Sequence, residues 1–214
     1  MHDISVPEDV DLDKWLHMRP RKISAEDWTR YQNHISEIFT ALGMDMELPG
    51  TRTTPARFLK AMFDATDGYE GDEKLVTAFP TECRGDSDCE LGQVIEGPIS
   101  FFALCEHHAM PFYGWAHIGY IPHEHILGLS KLTRLVRLYA RRFTMQERIG
   151  QEIADLLVAV AEPHGVAVRL EASHLCTRMR GVQEAQSQTV TTNWRGNYEK
   201  IEALRREFLD VTHA

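Results

Sequence analysis

The spacing of hydrophobic residues constrains the fold of this 214-residue chain most, because it switches repeatedly between two periods. Residues that recur every three to four positions predict helices, and residues that alternate predict strands. In chain order the patterns predict two helices, two strands, two further helices, two further strands and one final helix. Consecutive strands form antiparallel hairpins. The sequence therefore predicts an α+β fold with an antiparallel four-stranded sheet, not a parallel doubly wound sheet.

Capping and turn residues predict where these elements begin and end. Helix starts are expected at polar capping residues, namely Ser24, Thr54, Ser130 and Thr144. The first two helices are expected to end at Gly43 and Gly68. The strands and the last helix are predicted at Gln93–Leu104, Gly114–Ile121, Gly165–Cys176, Gln186–Asn193 and Ile201–Val211.

Composition divides the chain into three segments. Residues 1–22 mix charges and prolines without a period, which predicts an arm that is disordered or held by a partner. Residues 23–92 predict a helical segment followed by an acidic, turn-rich connection, and residues 93–214 a main domain that contains the sheet. Four strands cannot close a barrel, so the sheet edges must be covered or paired with another subunit.

Charge and composition exclude several classes of protein. The formal charge of -9 disfavours a nucleic-acid partner, which attracts basic surfaces. No run of about 18 apolar residues is present to span a membrane, and residues 1–4 do not resemble the start of a secretory signal. Four cysteines are too few for a disulfide scaffold, so thiols or metal ligands in a reducing compartment are expected. We therefore predict a cytoplasmic protein without a membrane partner.

The motif Cys105-Glu106-His107-His108 is the strongest chemical signal in the chain. A thiolate at Cys105 and an imidazole at His108, three residues apart in a tight turn, can bind one zinc ion. The third ligand could be Cys176, and three protein ligands plus water is the arrangement of catalytic zinc sites. Water bound at such a site ionises near neutral pH. The alternative is a buried cysteine beside surface histidines.

Two further histidines lie close to these candidate ligands in the sequence. His107 is a candidate general acid or base, or else an exposed turn histidine. His174 precedes Cys176 by two residues, so on a strand both side chains would face the same side. That arrangement would place a second imidazole near the metal.

Basic residues near helix starts suggest a site for a polyanion. Ser130 and Lys131 open one predicted helix with Arg134 a turn later, and backbone N–H groups at a helix start favour phosphate. The other basic candidates are Arg57, Lys60, Arg178 and Arg180. Each of them could equally lie on the solvated face of its element.

Glu147 and the two remaining cysteines have alternative interpretations. Glu147 follows Thr144 in capping-box spacing, and the pattern alone favours a cap over a carboxylate that accepts hydrogen bonds from a purine edge. Cys83 and Cys89 could bind metal or form a labile disulfide, although loop thiols without a role are more common.

Taken in order, these motifs resemble the GTP cyclohydrolase I family over about residues 33–211. The resemblance rests on five stretches: Thr54-Pro55-x-Arg57-x-x-Lys60, Cys105-Glu106-His107-His108, residues 128–134, Gln146-Glu147-Arg148, and His174-x-Cys176-x-x-x-Arg180-Gly181. It implies the tunnelling fold, in which an antiparallel sheet has helices on one side, and a homo-oligomer of toroidal pentamers, two of which stack. It also implies hydrolysis of GTP to formate and 7,8-dihydroneopterin triphosphate, the first step towards folate and other pterins.

The resemblance also assigns roles to individual residues. It implies that Cys105, His108 and Cys176 hold Zn²⁺, and that His107 and His174 are catalytic. It places Glu147, with Gln146 beside it, at the guanine base. The residues it places around the triphosphate are Ser130, Lys131, Arg134, Arg180, Arg57 and Lys60.

Two other functions are weighed against this one. A nitrile reductase of the related tunnelling-fold group would use a cysteine nucleophile and NADPH without zinc. A non-catalytic pterin-binding homologue would tolerate the loss of His107 or His174. The His107-His108 pair and Cys176 disfavour the reductase, and the presence of both His107 and His174 disfavours the non-catalytic homologue.

Overall fold

A computed structural model describes residues 17–76, 78–80 and 92–213 of the chain. The helices are α1 (Ala25–Ala41), α2 (Thr54–Ala65), α3 (Leu129–Ala140), α4 (Gln146–Ala161), α5 (Leu175–Arg178), α6 (Asn197–Lys200) and α7 (Glu202–Thr212). The strands are β1 (Ala78–Pro80), β2 (Val94–Cys105), β3 (Pro111–Ile121), β4 (His125–Leu127), β5 (Phe143–Thr144), β6 (Gly165–His174) and β7 (Thr189–Gly196). Two short 3₁₀ helices, Asp67–Glu70 and Glu73–Val76, follow α2.

The main sheet is antiparallel along its length. Within the described residues its strands lie in the order β5-β2-β3-β6-β7, and only the two-residue β5 runs parallel to its neighbour. The β3–β6 pair has continuous register, from Phe112 opposite His174 to Ile121 opposite Gly165, whereas the β2–β3 pair has a register shift between Glu96 and Ile99. This sheet confirms the predicted α+β class with four antiparallel strands.

Helices α3 and α4 pack on one face of the sheet and form the main core. Their apolar stripes contact the inward-facing side chains of β2, β3 and β6, and the buried residues include Leu132, Leu135, Ile149, Ile153, Phe101, Ile118 and Val168. Burial of such side chains stabilises the fold by about 25 cal/mol per Å² of apolar surface. The two helices predicted between the strand pairs therefore cover the sheet as expected.

The C-terminal helices lie on the opposite face, at one end of the sheet. Phe208 of α7 and Tyr198 of α6 pack with Ile121 and Ala167 in a second, smaller core. A Cβ atom on Gly119 would lie 2.8 Å from the Phe208 ring, so this close packing depends on glycine. The rest of this face carries exposed aromatic side chains, which are Phe102, Tyr113 and Trp115.

Several predicted boundaries are wrong by a few residues. The second helix ends at Ala65 rather than Gly68, because a 3₁₀ turn follows it. The acidic connection contains a short strand, β1, which pairs with β4. Cys83 and Cys89 lie outside the described residues.

Three predicted helix caps are also wrong. Helix α2 begins after Thr53, so Thr54 is not its capping residue. Helix α3 begins after Gly128, and helix α4 begins after Met145, so neither Ser130 nor Thr144 is the capping residue. By contrast, the Ser24 hydroxyl accepts a hydrogen bond from the Asp27 backbone N–H at 3.1 Å, as predicted for α1.

The segment before α1 contacts the helical region through Arg21. Its guanidinium donates hydrogen bonds to Thr66 Oγ1 and to the Phe63 carbonyl, both at 2.7 Å, and forms an ion pair with Glu70. Residues 1–16 lie outside the described part of the chain, and the division at residues 22 and 92 stays a prediction. Among the described helices, each is too short or too polar to cross a bilayer.

Candidate active site

The turn between β2 and β3 has the geometry that places two candidate metal ligands together. The Cys105 backbone N–H donates to the Met110 carbonyl at 2.8 Å, and the Ala109 N–H donates to the Cys105 carbonyl at 2.8 Å. Ala109 has a φ of 54°, a left-handed conformation that closes the turn. Because the chain folds back on itself here, Cys105 Sγ lies 3.7 Å from His108 Nδ1.

Cys176 completes this group from the end of β6. The donor atoms of Cys105, His108 and Cys176 all lie within 4.8 Å of one another. Both cysteines are free thiols, and burial together with the nearby Cys105 raises the pKa of Cys176. Cys176 lies in the short helix α5 and not on the strand, so the prediction that it shares a strand face with His174 is wrong.

The donor set fits a tetrahedral zinc ion. Bond lengths of about 2.3 Å to sulfur and 2.0–2.1 Å to nitrogen put neighbouring sulfur and nitrogen ligands about 3.6 Å apart. The Cys105–His108 distance of 3.7 Å matches that edge. Three protein donors leave a fourth position for water or substrate, which is the arrangement of catalytic zinc sites.

His107 lies on the same turn, beside the metal-binding group. Its Nδ1 is 3.9 Å from Cys105 Sγ, and its ring lies edge-on to His108 with the centroids 6.2 Å apart. The neighbouring Glu106 forms an ion pair with Arg148 of α4, with Nη2 and Oε1 3.2 Å apart. This pair lowers the pKa of Glu106 and ties the turn to the start of α4.

His174 is held from two sides. Its ring stacks on Phe112, its register partner on β3, with centroids 4.5 Å apart and an interplanar angle of 5°. Its Nε2 lies 2.8 Å from Oε1 of Gln146. Burial lowers the pKa of His174, while the nearby Glu147 carboxylate raises it.

Glu147 and Arg180 lie near this group with exposed side chains. Glu147 is in the first turn of α4, whose capping residue is Met145 without a side-chain bond, so the capping-box interpretation of Glu147 is wrong. The Arg180 cation is close enough to lower the pKa of Cys176, against the stronger effects that raise it. One end of a single chain therefore brings together eight of the predicted site residues: Cys105, His107, His108, Gln146, Glu147, His174, Cys176 and Arg180.

Among the described residues, no hydrogen bond or ion pair joins the remaining predicted residues to this group. Ser130, Lys131 and Arg134 are at the start of α3, whereas β5, which follows the end of α3, pairs with Cys105. At a rise of about 1.5 Å per residue, Ser130 and Lys131 lie about 15 and 14 Å along the helix from its end at Ala140, and Arg134 lies about 9 Å from it. Arg134 lines a cavity of about 450 Å³ and forms an ion pair with Asp72 at 3.0 Å. The Lys131 ammonium donates to the Lys74 carbonyl.

Arg57 and Lys60 on α2 are also engaged within their own segment. Arg57 donates to the Gly50 carbonyl at 2.8 Å, and Lys60 pairs with Asp64 at 2.8 Å. Arg178 donates to the Ser187 carbonyl at 2.9 Å and so braces the loop after α5. One chain therefore does not bring all the predicted basic residues into a single cleft.

Comparisons with known proteins decide the family. The family model described as GTP cyclohydrolase I matches residues 31–213. The chain is 42% identical over 180 residues to "GTP cyclohydrolase 1" of Gloeobacter violaceus, which covers 84% of this chain and 82% of the relative. It is 42% identical over 185 residues to "GTP cyclohydrolase 1" of Saccharomyces cerevisiae, which covers 85% of this chain and 73% of the relative.

This chain belongs to the GTP cyclohydrolase I family of enzymes. A further relative, "GTP cyclohydrolase 1" of Dictyostelium discoideum, is 41% identical over 182 residues, or 84% of this chain and 76% of the relative. A solved structure of the archaeosine synthase QueF-Like in the apo form is 14% identical with a TM-score of 0.37, covering 49% of this chain and 92% of that one. A similarity at that level adds nothing to the assignment.

In this member of the GTP cyclohydrolase I family, the sequence did not reveal the residues that hold the histidines in place. Phe112 stacks on His174, and Arg148 anchors the turn through Glu106. The only available signal for Arg148 was its place in Gln146-Glu147-Arg148, which carried no role. Phe112 lay outside the predicted strand Gly114–Ile121 and carried no role, because register across a sheet decides what it touches.

Proposed function

We propose that this chain is a zinc-dependent GTP cyclohydrolase I, which hydrolyses GTP at C8 of guanine to formate and 7,8-dihydroneopterin triphosphate. The observation that carries the proposal is the convergence of Cys105, His108 and Cys176 within 4.8 Å, in a chain of this family. The relatives are named GTP cyclohydrolase 1, which gives GTP as the substrate, and the donor chemistry supports zinc.

The metal-binding residues would hold zinc with two thiolates and one imidazole. Bound there, zinc supplies Lewis-acid activation of water for attack at C8 of guanine. Cys105 and His108 come from one rigid turn, and Cys176 from the end of β6, so the sheet fixes the distance between them. Burial of Cys105 keeps the thiolate away from bulk water.

The neighbouring histidines carry the proton transfers in this proposal. His107, on the same turn as the metal ligands, donates and accepts protons as the imidazole ring of guanine opens. His174, held by Phe112 and Gln146, assists hydrolysis and the later rearrangement. The exposed carboxylate of Glu147 beside His174 accepts hydrogen bonds from the guanine edge.

A triphosphate needs several basic residues around it, and the metal-binding end of one chain offers too few of them. Arg180 is near Cys176, whereas Ser130, Lys131, Arg134, Arg57 and Lys60 make no described contact with the metal-binding group. We propose that these residues reach the triphosphate from a neighbouring subunit of a homo-oligomer, a toroidal pentamer that stacks into a decamer. The unpaired edge of β7 among the described strands supports such pairing.

The decisive experiment measures zinc and product together. Purified protein incubated with GTP should release formate in step with pterin absorbance, and it should contain one zinc per subunit. Cys105→Ala should lose the metal and lower activity by more than about 10³-fold, because several kcal/mol of charge stabilisation are lost. His34→Ala, at an exposed histidine of α1, is the matched control and should keep both.

Three results would contradict the proposal. Active wild-type protein without zinc would exclude the metal-dependent mechanism. Consumption of NADPH with a nitrile substrate, and none of GTP, would favour the reductase of the related fold. A protein that binds pterins without turnover of GTP would favour the non-catalytic alternative.

A further inference from the structure

Gln146 is buried at the start of α4 with its amide nitrogen fully used. The residue is 1% exposed. Its Nε2 donates to the Leu170 carbonyl at 3.1 Å and to the Thr189 carbonyl at 2.9 Å, and lies 3.3 Å from Thr191 Oγ1. These acceptors belong to β6 and β7, so the side chain bridges the two strands and cannot turn without losing them.

The close approach of α4 to the sheet makes this bridge possible. Gly150 lies one turn after Gln146, and a Cβ atom there would be 2.2 Å from Asn193 Oδ1 on β7. Because Gly150 has no side chain, the helix start can approach β7 closely enough for the Gln146 amide to reach the strand carbonyls.

The acceptors decide which way the amide faces. Carbonyl oxygens only accept hydrogen bonds, so the atom that faces Leu170 and Thr189 must be the amide nitrogen. The amide oxygen then faces His174, with 2.8 Å between Oε1 and Nε2. Since an amide oxygen only accepts, His174 must carry its hydrogen on Nε2. In the neutral ring this leaves the lone pair on Nδ1.

Phe112 fixes the plane of the His174 ring, which the hydrogen bond to Gln146 does not determine. Its fully buried ring lies parallel to His174, with an interplanar angle of 5°. Stacking sets the plane of the imidazole, and the bond to Gln146 sets the rotation of the ring within that plane. The tautomer and the orientation of His174 are both determined by buried neighbours.

We propose that Gln146 is a positioning residue that holds His174 in the Nε2–H tautomer, and that it does not contact guanine. This inference rests on the proposed function, and it corrects the role that the family resemblance implied for Gln146. Burial and the bonds to β6 and β7 keep the amide from reaching a ligand, whereas the neighbouring Glu147 is exposed and can do so.

Kinetics separate positioning from substrate binding. Gln146→Leu should lower kcat by about 10- to 100-fold, the usual effect of losing a group that orients a histidine, with KM changed less than about twofold. Glu147→Ala is the contrasting variant and should raise KM. A Gln146→Leu enzyme with raised KM and unchanged kcat would overturn the proposal.

A spectroscopic measurement tests the inference without GTP turnover. Solid-state NMR of zinc-loaded protein with ¹⁵N-labelled histidine should show His174 as the Nε2–H tautomer, assigned by the signal that His174→Asn removes. Gln146→Leu should convert it to a mixture of tautomers. An unchanged tautomer in Gln146→Leu, or Nδ1–H in the wild type, would overturn the proposal even in an active enzyme.

A milder variant covers the case in which Gln146→Leu does not fold. Thr191→Val removes one acceptor from the amide nitrogen and leaves the bond to His174 in place. It should lower kcat in the same direction but by less, with KM unchanged. A rise in KM alone would again place Gln146 at the substrate and contradict the positioning role.

Discussion

The metal-binding end of the sheet and the start of α3 differ in how many of the predicted site residues a single chain brings together. At the metal-binding end, the candidate groups face one another: three metal donors, two histidines and the Gln146 amide, all from one chain. At the other end, Arg134 pairs with Asp72 and Lys131 donates to the Lys74 carbonyl. About 14 Å of helix separates Lys131 from the end of α3 that precedes β5, and about 9 Å separates Arg134 from it.

This difference indicates which part of the chemistry each chain can supply alone. The metal-binding end is partly preorganised, since Phe112 and Gln146 fix His174 and the turn holds Cys105 close to His108 before any ligand arrives. The cations at the other end rest on carboxylates and carbonyls of their own chain, which a triphosphate would have to replace. We infer that one chain brings the metal and the histidines, and that the clamp for the phosphates comes from another chain.

The largest effect is expected at the preorganised end, from His107. Its imidazole lies on the ligand turn without being one of the three closest donors. His107→Ala should therefore keep zinc and GTP affinity but lower the single-turnover rate by about 10²–10⁴-fold, the usual contribution of a positioned acid or base. Rapid-quench measurement of formate, alongside zinc content and GTP binding, checks this.

The matched control for His107→Ala is His123→Ala, which removes a histidine from the far end of β3. It should leave the single-turnover rate unchanged. An unchanged rate in His107→Ala itself would remove that residue from the mechanism, and loss of zinc would make it part of the metal site.

Mixing two inactive variants tests whether the two ends belong to different chains. If the metal of one chain works with Lys131 of another, Cys105→Ala and Lys131→Ala subunits should rescue each other in mixed rings. A random equal mixture gives roughly one intact junction in four, the product of two independent choices in a closed ring. Activity should return to about a quarter of the wild type.

A second mixture sharpens this comparison. Cys105→Ala and His107→Ala affect the same turn, so their mixture should give no rescue. Recovery of activity in that control mixture would show that Cys105 and His107 of different chains act in one site. No recovery with Lys131→Ala, in rings shown by mass spectrometry to be mixed, would place both ends in one chain's site, and full activity of a verified monomer would discard the shared site.

The order of elements and the closeness of Cys105 to His108 could be predicted from the sequence, because both depend on local patterns. Alternation and helical spacing gave β2, β3, α3 and α4 within a few residues. Cys105 and His108 come from one turn, so their spacing was sufficient. The proposal of Cys176 as third donor agrees with the geometry, although its position on α5 rather than on a strand was not foreseen.

Contacts between distant segments could not be predicted in this way. The Gln146 amide reaches two neighbouring strands, and their register is set by the whole sheet. The cap of α4 was misplaced because Thr144 pairs in β5 opposite Cys105, and this tertiary pairing overrides its preference for a cap. The separation of the basic residues from the metal-binding end could not be predicted either. It depends on how the helices pack on the sheet, and the order of residues in the sequence does not determine that packing.

The smallest effect is expected from a histidine pair at the end of the sheet farthest from the metal. His123 and His164 have ring centroids 4.4 Å apart, next to the Ile121–Gly165 end of the β3–β6 pair. Burial lowers the pKa of His164, and the charge of His123 lowers it further. Below the ordinary histidine pKa of about 6.5, the unfolded chain therefore binds a proton at His164 more readily than the folded chain does.

Stability should consequently fall as the pH drops from 7 to 5, and His164→Gln should make that fall shallower. One such group contributes less than about 1.4 kcal/mol per pH unit to the slope. Urea unfolding midpoints at pH 7, 6 and 5 measure it, with His34→Gln on exposed α1 as the control that leaves the slope unchanged. The metal end adds its own acid sensitivity, because its ligands must be deprotonated. If the two ends are independent, the difference between wild type and His164→Gln will be the same with zinc and after its removal. A difference that depends on zinc would show that the ends are coupled within one chain.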